Sequence, residues 1–355
     1  MASATTLAAT RRLGIEHPIV QGPFGGGLST TTLAATVSNL GGLGSFGAYH
    51  LAATEIAPLV NQIRARTSRP FAINLWVSDH DRGGATLTDD EFEATYSLYE
   101  SSYRELGVPK PRRPPAFFQS FEDQAWALID AAPPVFSFVF GVPSAEILAA
   151  CRKRDIVTIG TATSIAEAAL LDEAGVDLIV ATGFEAAGHR PSFLRRAEDC
   201  LMGTFALTQL VSDRVRTPVI AAGGIVDGRG ARAAFALGAH AVQLGTAFLA
   251  CEESGATAQH REVLFSARAE DTRLTRTYTG RLARGIPNRV VEHFEARGKD
   301  LPPFPIHSWF VAKLRAADAV AGRSNFLSLY ASQSAPNLKH RSATALMHSL
   351  IEATN

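Results

Sequence analysis

The strongest constraint on the fold of this chain is a rhythm. Eight short apolar runs, rich in β-branched residues and each ending in glycine or a small residue, recur along the sequence. They are PIVQG (18–22), GLGSFG (42–47), FAINLW (71–76), VFSFVFG (135–141), IVTIGT (156–161), LIVATG (178–183), PVIAAGGI (218–225) and AVQLGTAF (241–248). From start to start the steps are 24, 29, 64, 21, 22, 40 and 23 residues, and most of these hold one strand, one helix and two turns. Strands this continuously apolar are buried on both faces, which means a parallel sheet covered by helices. Eight such units closed on themselves predict an α/β fold of the (β/α)8 TIM-barrel type.

The intervening segments carry helix ends. Ser164 with Glu167 three residues later is a capping-box pattern, followed by apolar Ile165, Ala168, Ala169 and Leu171, with Gly175 where a left-handed residue ends the helix. Asp227 is placed to cap a second helix whose apolar face spans 231–237, ended by Gly238. The long step after the third strand, 78–119, is too acidic, aromatic and proline-rich for a barrel unit and is expected to be an insertion. After the sixth strand a long loop should lead into a helix at 198–213. The 105 residues at 251–355 exceed any single crossover, so they are expected to cap the active-site face, ending in a helix at 342–352. The expected organisation is a barrel from 1–77 and 120–250, the insertion at 78–119, and the C-terminal segment at 251–355.

Composition narrows the partners. The 34 basic residues balance 34 acidic ones, so no overall positive field favours nucleic acid. No apolar run is long enough to span a membrane. Cys151, Cys200 and Cys251 form neither a disulfide framework nor a CxxC metal site, and the ten histidines show no HxH or HExxH spacing, so no metal is expected. The start, 1–12, lacks the apolar core of a secretory signal, and the expected setting is the cytoplasm.

In this architecture chemistry gathers at the carboxyl ends of the strands, with phosphate held after strands seven and eight. There the sequence places Gly223 and Gly224, then Gly245 and Thr246, with a helix expected to aim its positive end from Gly228 at the same spot. The strand-one loop, Gly22, Pro23, Phe24 and the glycines to Gly27, lets a flat ring approach the main chain. Asn74 ends strand three, and Thr182 ends strand six. His189 follows in a loop, placed to take or give a proton, with Arg190 expected to lower its pKa by like-charge repulsion.

Together these residues resemble the nitronate monooxygenases, a flavin-dependent family formerly called 2-nitropropane dioxygenases. The resemblance is carried by PIVQGPFGGGLST, AATVSNLGGLGSFGAYH, RPFAINLW, FEDQ, SFVFG, GFEAAGHRPSF, TPVIAAGGI, LGTAFL, GRLARGIPNR and SLYASQSAPNL. It implies FMN, with phosphate at Gly223, Gly224, Gly245 and Thr246, and the ring near Gly22, Pro23, Phe24, Asn74, Thr182, Gly188 and Gln243. It makes His189 the catalytic histidine, and implies oxidation of an alkyl nitronate, or a nitroalkane, by O2 to a carbonyl compound and nitrite. Phe138, Phe140, Arg190, Tyr330 and Gln333 are the expected substrate-pocket residues, and a homodimer is allowed for. Departures fall at the substrate end: AGH at 187–189 stands for the usual GGH, Thr182 for a frequent Gln, and YASQ at 330–333 for a Trp-Ala-Gly-Gln form. Three alternatives remain open: an NAD(P)H-dependent flavin quinone or enoyl-thioester reductase of the same superfamily, a non-flavin enzyme acting on a phosphorylated substrate, and a catalytically silent barrel.

Overall fold

The apolar runs become the staves of a barrel, and alternation along each strand sorts its side chains. The computed structural model describes residues 4–77, 86–296 and 301–354; the first residues of the expected insertion, 78–85, lie outside these. The barrel strands are β1 (Ile19–Gln21), β2 (Gly44–Gly47), β3 (Phe71–Trp76), β4 (Val135–Val139), β5 (Val157–Ala162), β6 (Leu178–Thr182), β8 (Val219–Ala222) and β9 (Ala241–Leu244). All pair in parallel in the order β1-β9-β8-β6-β5-β4-β3-β2. A bridge between Val20 and Leu43 closes the ring, through Gln21 N–H to Leu43 O and Leu43 N–H to Ile19 O, both 2.9 Å.

Strand β4 shows the sorting. Val135 joins the apolar plug inside the barrel, Phe136 and Phe138 pack outward against the helices, and Ser137 and Val139 face the open mouth. Ala9 and Leu13, from the helix Ala4–Leu13, join the plug with Leu43, Leu178 and Ile220. The mouth at the carboxyl ends of the strands is therefore the open one.

Several boundaries differ from expectation for local reasons. The run at 218–225 stops being a strand at Ala222, because Gly223 and Gly224 turn left-handed at φ 110° and 67°. The run at 241–248 ends at Leu244, and Thr246–Leu249 is a single helical turn. Ser164 does cap its helix, accepting from Glu167 N–H. The Glu167 carboxylate, however, is fully buried and accepts from the Thr163 and Phe193 N–H groups, both at 2.7 Å. It ties down the long loop after β6 instead of closing a capping box. The helix expected at 198–213 is Thr204–Arg214, and the last helix is Ala343–Thr354.

Beyond the barrel, two short helices, Asp89–Ser97 and Glu100–Glu105, pack their aromatic residues on the C-terminal helix Ile306–Val320. The Tyr99 hydroxyl lies 2.7 Å from His307 Nδ1, and the Tyr103 hydroxyl donates to Phe310 O at 2.9 Å. A second sheet, absent from the sequence reading, joins β10 (Arg273–Thr275), β11 (Ala283–Gly285) and the two-residue β7 (Gly188–His189) in the order β10-β11-β7. No helix among the described residues is long and apolar enough to cross a membrane.

Candidate active site

A cleft at the barrel mouth offers about 1350 Å³ of atom-free space, counting the part open to solvent, and it has two unlike ends. One is built from glycine main chain. An added Cβ on Gly223 would stand 2.4 Å from Thr204 Oγ1, and one on Gly224 would stand 3.2 Å from Ser334 Oγ. Thr204 cannot yield easily, because its N–H and hydroxyl both donate to the Glu185 carboxylate at 2.9 Å. These two positions therefore present only main chain to the cleft.

Gly245 and Thr246 line the cleft together with Ser332. Thr246 Oγ1 accepts from Ser332 N–H at 3.0 Å, which leaves its own hydrogen to donate. The Ser332 hydroxyl is buried with no hydrogen-bond partner among the described residues. No carboxylate lines the cleft among the described residues, and Arg315 does. Main-chain amides and spare hydroxyls with no carboxylate opposite them form a donor set suited to a phosphate group, while Arg315 stands toward the other end, where its charge acts on His189.

The helix at Gly228–Ala236 does not contribute as expected. Asp227 Oδ1 accepts from the N–H groups of Arg229 and Gly230, both at 3.0 Å, so the carboxylate neutralises that helix end. Gly228 opens instead on a separate surface pocket with Arg229, Arg232 and Lys339.

Gly22, Pro23, Phe24, Asn74, Thr182, Gly188 and Gln243 all line the same cleft. Asn74 is fixed by register: it pairs with Ser137 across β3 and β4, and its amide donates to Ser137 Oγ at 3.0 Å. The strand-one loop is held by buried Gln21, which donates to Gly22 O and accepts from Ser45 N–H. Gly22 lies close to β9: a Cβ there would stand 3.3 Å from Leu244 O, tighter than an ordinary contact.

The other end of the cleft is built from side chains. His189 lies in β7, pinned opposite Ala283 of β11, and not in a free loop. Its Nε2 is 2.8 Å from the Thr279 hydroxyl, and its ring meets Trp76 edge-on at 5.0 Å and Tyr330 at 5.7 Å. Burial, then the charges of Arg281 and Arg315, lower its pKa to about 3, so the imidazole is neutral at ordinary pH. Arg281 is itself held by rings, its guanidinium 3.6 Å from the Phe140 centroid and 4.2 Å from that of Phe304. Trp76 stacks on Tyr49 at 3.7 Å, and burial pushes the Tyr49 phenol up to about 12, which keeps it protonated.

Arg190 is not the charge that acts on His189. Neighbours in an extended strand point to opposite sides, and Arg190 turns away, 2% exposed, to donate to the carbonyls of Thr182, Gly183 and Cys200. It stitches the loop after β6. Phe138 lies outside the cleft wall for the same reason of alternation, packed among the helices. Phe140 does reach the cleft, because φ 68° breaks the alternation and re-aims its ring. Tyr330 lines the cleft as well, whereas Gln333 does not and donates its main-chain N–H to Glu185 O.

Sequence reasoning passed over Tyr49, Trp76, Thr279, Arg281, Arg315 and Ser332. Trp76 and Arg281 stood inside quoted motifs, but no spacing tied them to His189. Arg315 sits in an ordinary amphipathic helix and carried no local signal.

The chain is similar in sequence and fold to known proteins. The family profile described as "Nitronate monooxygenase" matches residues 7–353. The chain belongs to the nitronate monooxygenase family. It is 41% identical over 349 residues to the nitronate monooxygenase of Pseudomonas aeruginosa, covering 97% of each chain. Among solved structures, it resembles the nitroalkane oxidase of Streptomyces ansochromogenes, with a TM-score of 0.84, 33% identity and 98% of each chain covered. It also resembles FabK of Thermotoga maritima, with a TM-score of 0.75, 26% identity, and 98% of this chain and 95% of that one covered. Membership of the nitronate monooxygenase family makes the protein an oxidoreductase and implies a flavin cofactor.

Proposed function

We propose that the protein oxidises alkyl nitronates with O2, giving a carbonyl compound and nitrite, with FMN as its cofactor. The observation that carries this reading is the side-chain end of the cleft: a neutral imidazole, the Arg315 guanidinium and aromatic rings, with the charge of Arg281 close behind Phe140 and no carboxylate among the described lining. Such a chamber suits a small planar anion beside a flat cofactor. FMN bears one phosphate, matching the donors at Gly223, Gly224, Gly245, Thr246 and Ser332, and supplies electron transfer from the substrate to O2. Gly22, Pro23, Phe24, Asn74, Thr182, Gly188 and Gln243 are assigned to the ring.

Arg315 would hold the nitronate oxygens, with Phe140 and Tyr330 as walls and Arg281 adding its charge from behind the Phe140 ring. Burial and two cations penalise the imidazolium, so His189 is a weak base until an anion offsets those charges. The site is therefore matched to the preformed nitronate, and a neutral nitroalkane asks more of it. For that substrate His189 would remove the α proton.

The test is oxygen uptake and nitrite release by the yellow protein with ethyl nitronate and no nicotinamide. Rapid flavin bleaching by NADPH without nitronate turnover would instead favour a reductase. Replacing His189 by Asn should cost about 100-fold or more on nitroethane and about tenfold or less on ethyl nitronate; equal losses on both reject the base assignment.

The chain organisation is read as a barrel from 1–77 and 120–250 with the insertion 78–119 and the segment 251–355 covering its mouth. Three buried free thiols, Cys151, Cys200 and Cys251, suit a reducing cytoplasm.

A further inference from the structure

Next to the active-site cleft lies a second, apolar one. Its walls come from the strand-one loop at Gly26 and Leu28, from Phe117 and Phe118, from Phe304, and from the C-terminal helix at Trp309, Ala312, Ala316 and Ala319. The two clefts share Gly26, Leu28, Tyr49 and Arg315 as a common wall. Arg315 thus stands at the junction. Its Nε is buried with no hydrogen-bond partner among the described residues, and its charge already acts on His189. Phe117 and Leu28 lie on barrel-flanking segments far apart in sequence, yet they meet here around a space that no side chain fills.

We infer that this outer cleft is a subsite for the alkyl tail of the substrate, so that the protein prefers nitronates bearing an extended apolar chain. The inference rests on the nitronate reading above and deepens it. The anionic head would sit beside His189 and Arg315 in the active-site cleft, and the tail would pass beside the Arg315 side chain into the outer cleft. A small nitronate leaves that apolar space wet, whereas a chain removes both its own surface and the cleft wall from water. Each methylene so buried strengthens binding by about fourfold. Polar side chains, among them Gln119, Thr257, Ser308 and Ser328, are present in the wall, but Leu28, Phe117, Phe118, Phe304, Leu327 and the alanines of the helix make its apolar part.

The experiment compares ethyl, butyl, hexyl and octyl nitronates on the flavin-loaded protein, and separately measures competitive inhibition by the matching n-alkanoates, which share the planar anion but do not react. The expected result is a KM and an inhibition constant that fall by up to about fourfold per methylene and level off when the cleft is full. Ala316→Trp, on the exposed outer wall, should collapse the ratio of octyl to ethyl affinity, and Ala312→Phe is the second variant should the first fold poorly. Turnover of ethyl nitronate with no dependence on chain length, or a ratio that neither variant changes, overturns the subsite while leaving the nitronate reading intact. Failure to turn over any nitronate overturns both.

Discussion

The two ends of the active-site cleft are made by different means. At the cradle, Gly223, Gly224 and Gly245 offer main chain from two barrel loops, backed by Thr204 and Glu185. At the chamber, His189, Arg315, Trp76, Phe140 and Tyr330 line the cleft with side chains from five separate segments, two of them outside the barrel strands and their loops, and Arg281 stands behind Phe140. A main-chain site depends on few residues, and at Gly223 it leaves no room for an added atom. A side-chain site depends on many residues, each replaceable at a graded cost.

That contrast can be broken at either end. The largest effect is expected from Gly223→Val, where φ 110° and the 2.4 Å approach to Thr204 leave no room. Strain of a few kcal/mol there should weaken flavin binding by about 100-fold, and the purified variant should be nearly colourless; a variant that stays yellow would show that the cradle is less exacting than its geometry. Next comes Arg281→Met, which keeps bulk against Phe140 and Phe304 but removes the charge. Its loss should lower kcat/KM on ethyl nitronate about 30-fold. It should also raise the His189 pKa from about 3 toward its ordinary value. On nitroethane, where His189 must accept a proton, the native protein should show no acid limb from His189 between pH 5 and 8, whereas in the variant that limb should move to higher pH as the imidazole takes up a proton more readily. Matching pH profiles would mean that burial, not Arg281, governs the imidazole. The smallest effect belongs to Asp227→Ala, which uncaps the helix Gly228–Ala236 and should cost about 1 kcal/mol of stability with flavin content unchanged. Flavin loss would put that helix end back into the cradle.

Legibility in the sequence followed the same division. The barrel could be read because each strand announces itself within a few residues, and its spacing from the next is set by one helix and two turns. The cradle could be read because glycine pairs at the ends of two neighbouring strands are a local signal of exposed main chain. His189 stood out through its place after β6, but its surroundings were misjudged. Arg190, next to it in sequence, points the other way, and the charges that hold the imidazole neutral come from Arg281 and Arg315. Alternation correctly limited which phenylalanines of β4 could face inward, yet only the left-handed backbone at Phe140 decides that its ring reaches the cleft while that of Phe138 does not.

What the sequence by itself determined is the barrel, its open face and the glycine-built end of the cleft, since periodicity and glycine placement act over one turn or one strand and survive any arrangement of the rest. Only the tertiary structure decided the chemistry of the chamber and the apolar cleft behind it. Those depend on contacts between residues about one hundred or more positions apart, such as Phe117 with the helix carrying Trp309, or Trp76 with Arg281. Such contacts leave no periodic trace in the chain, because the residues lie on separate elements that only the tertiary structure brings together.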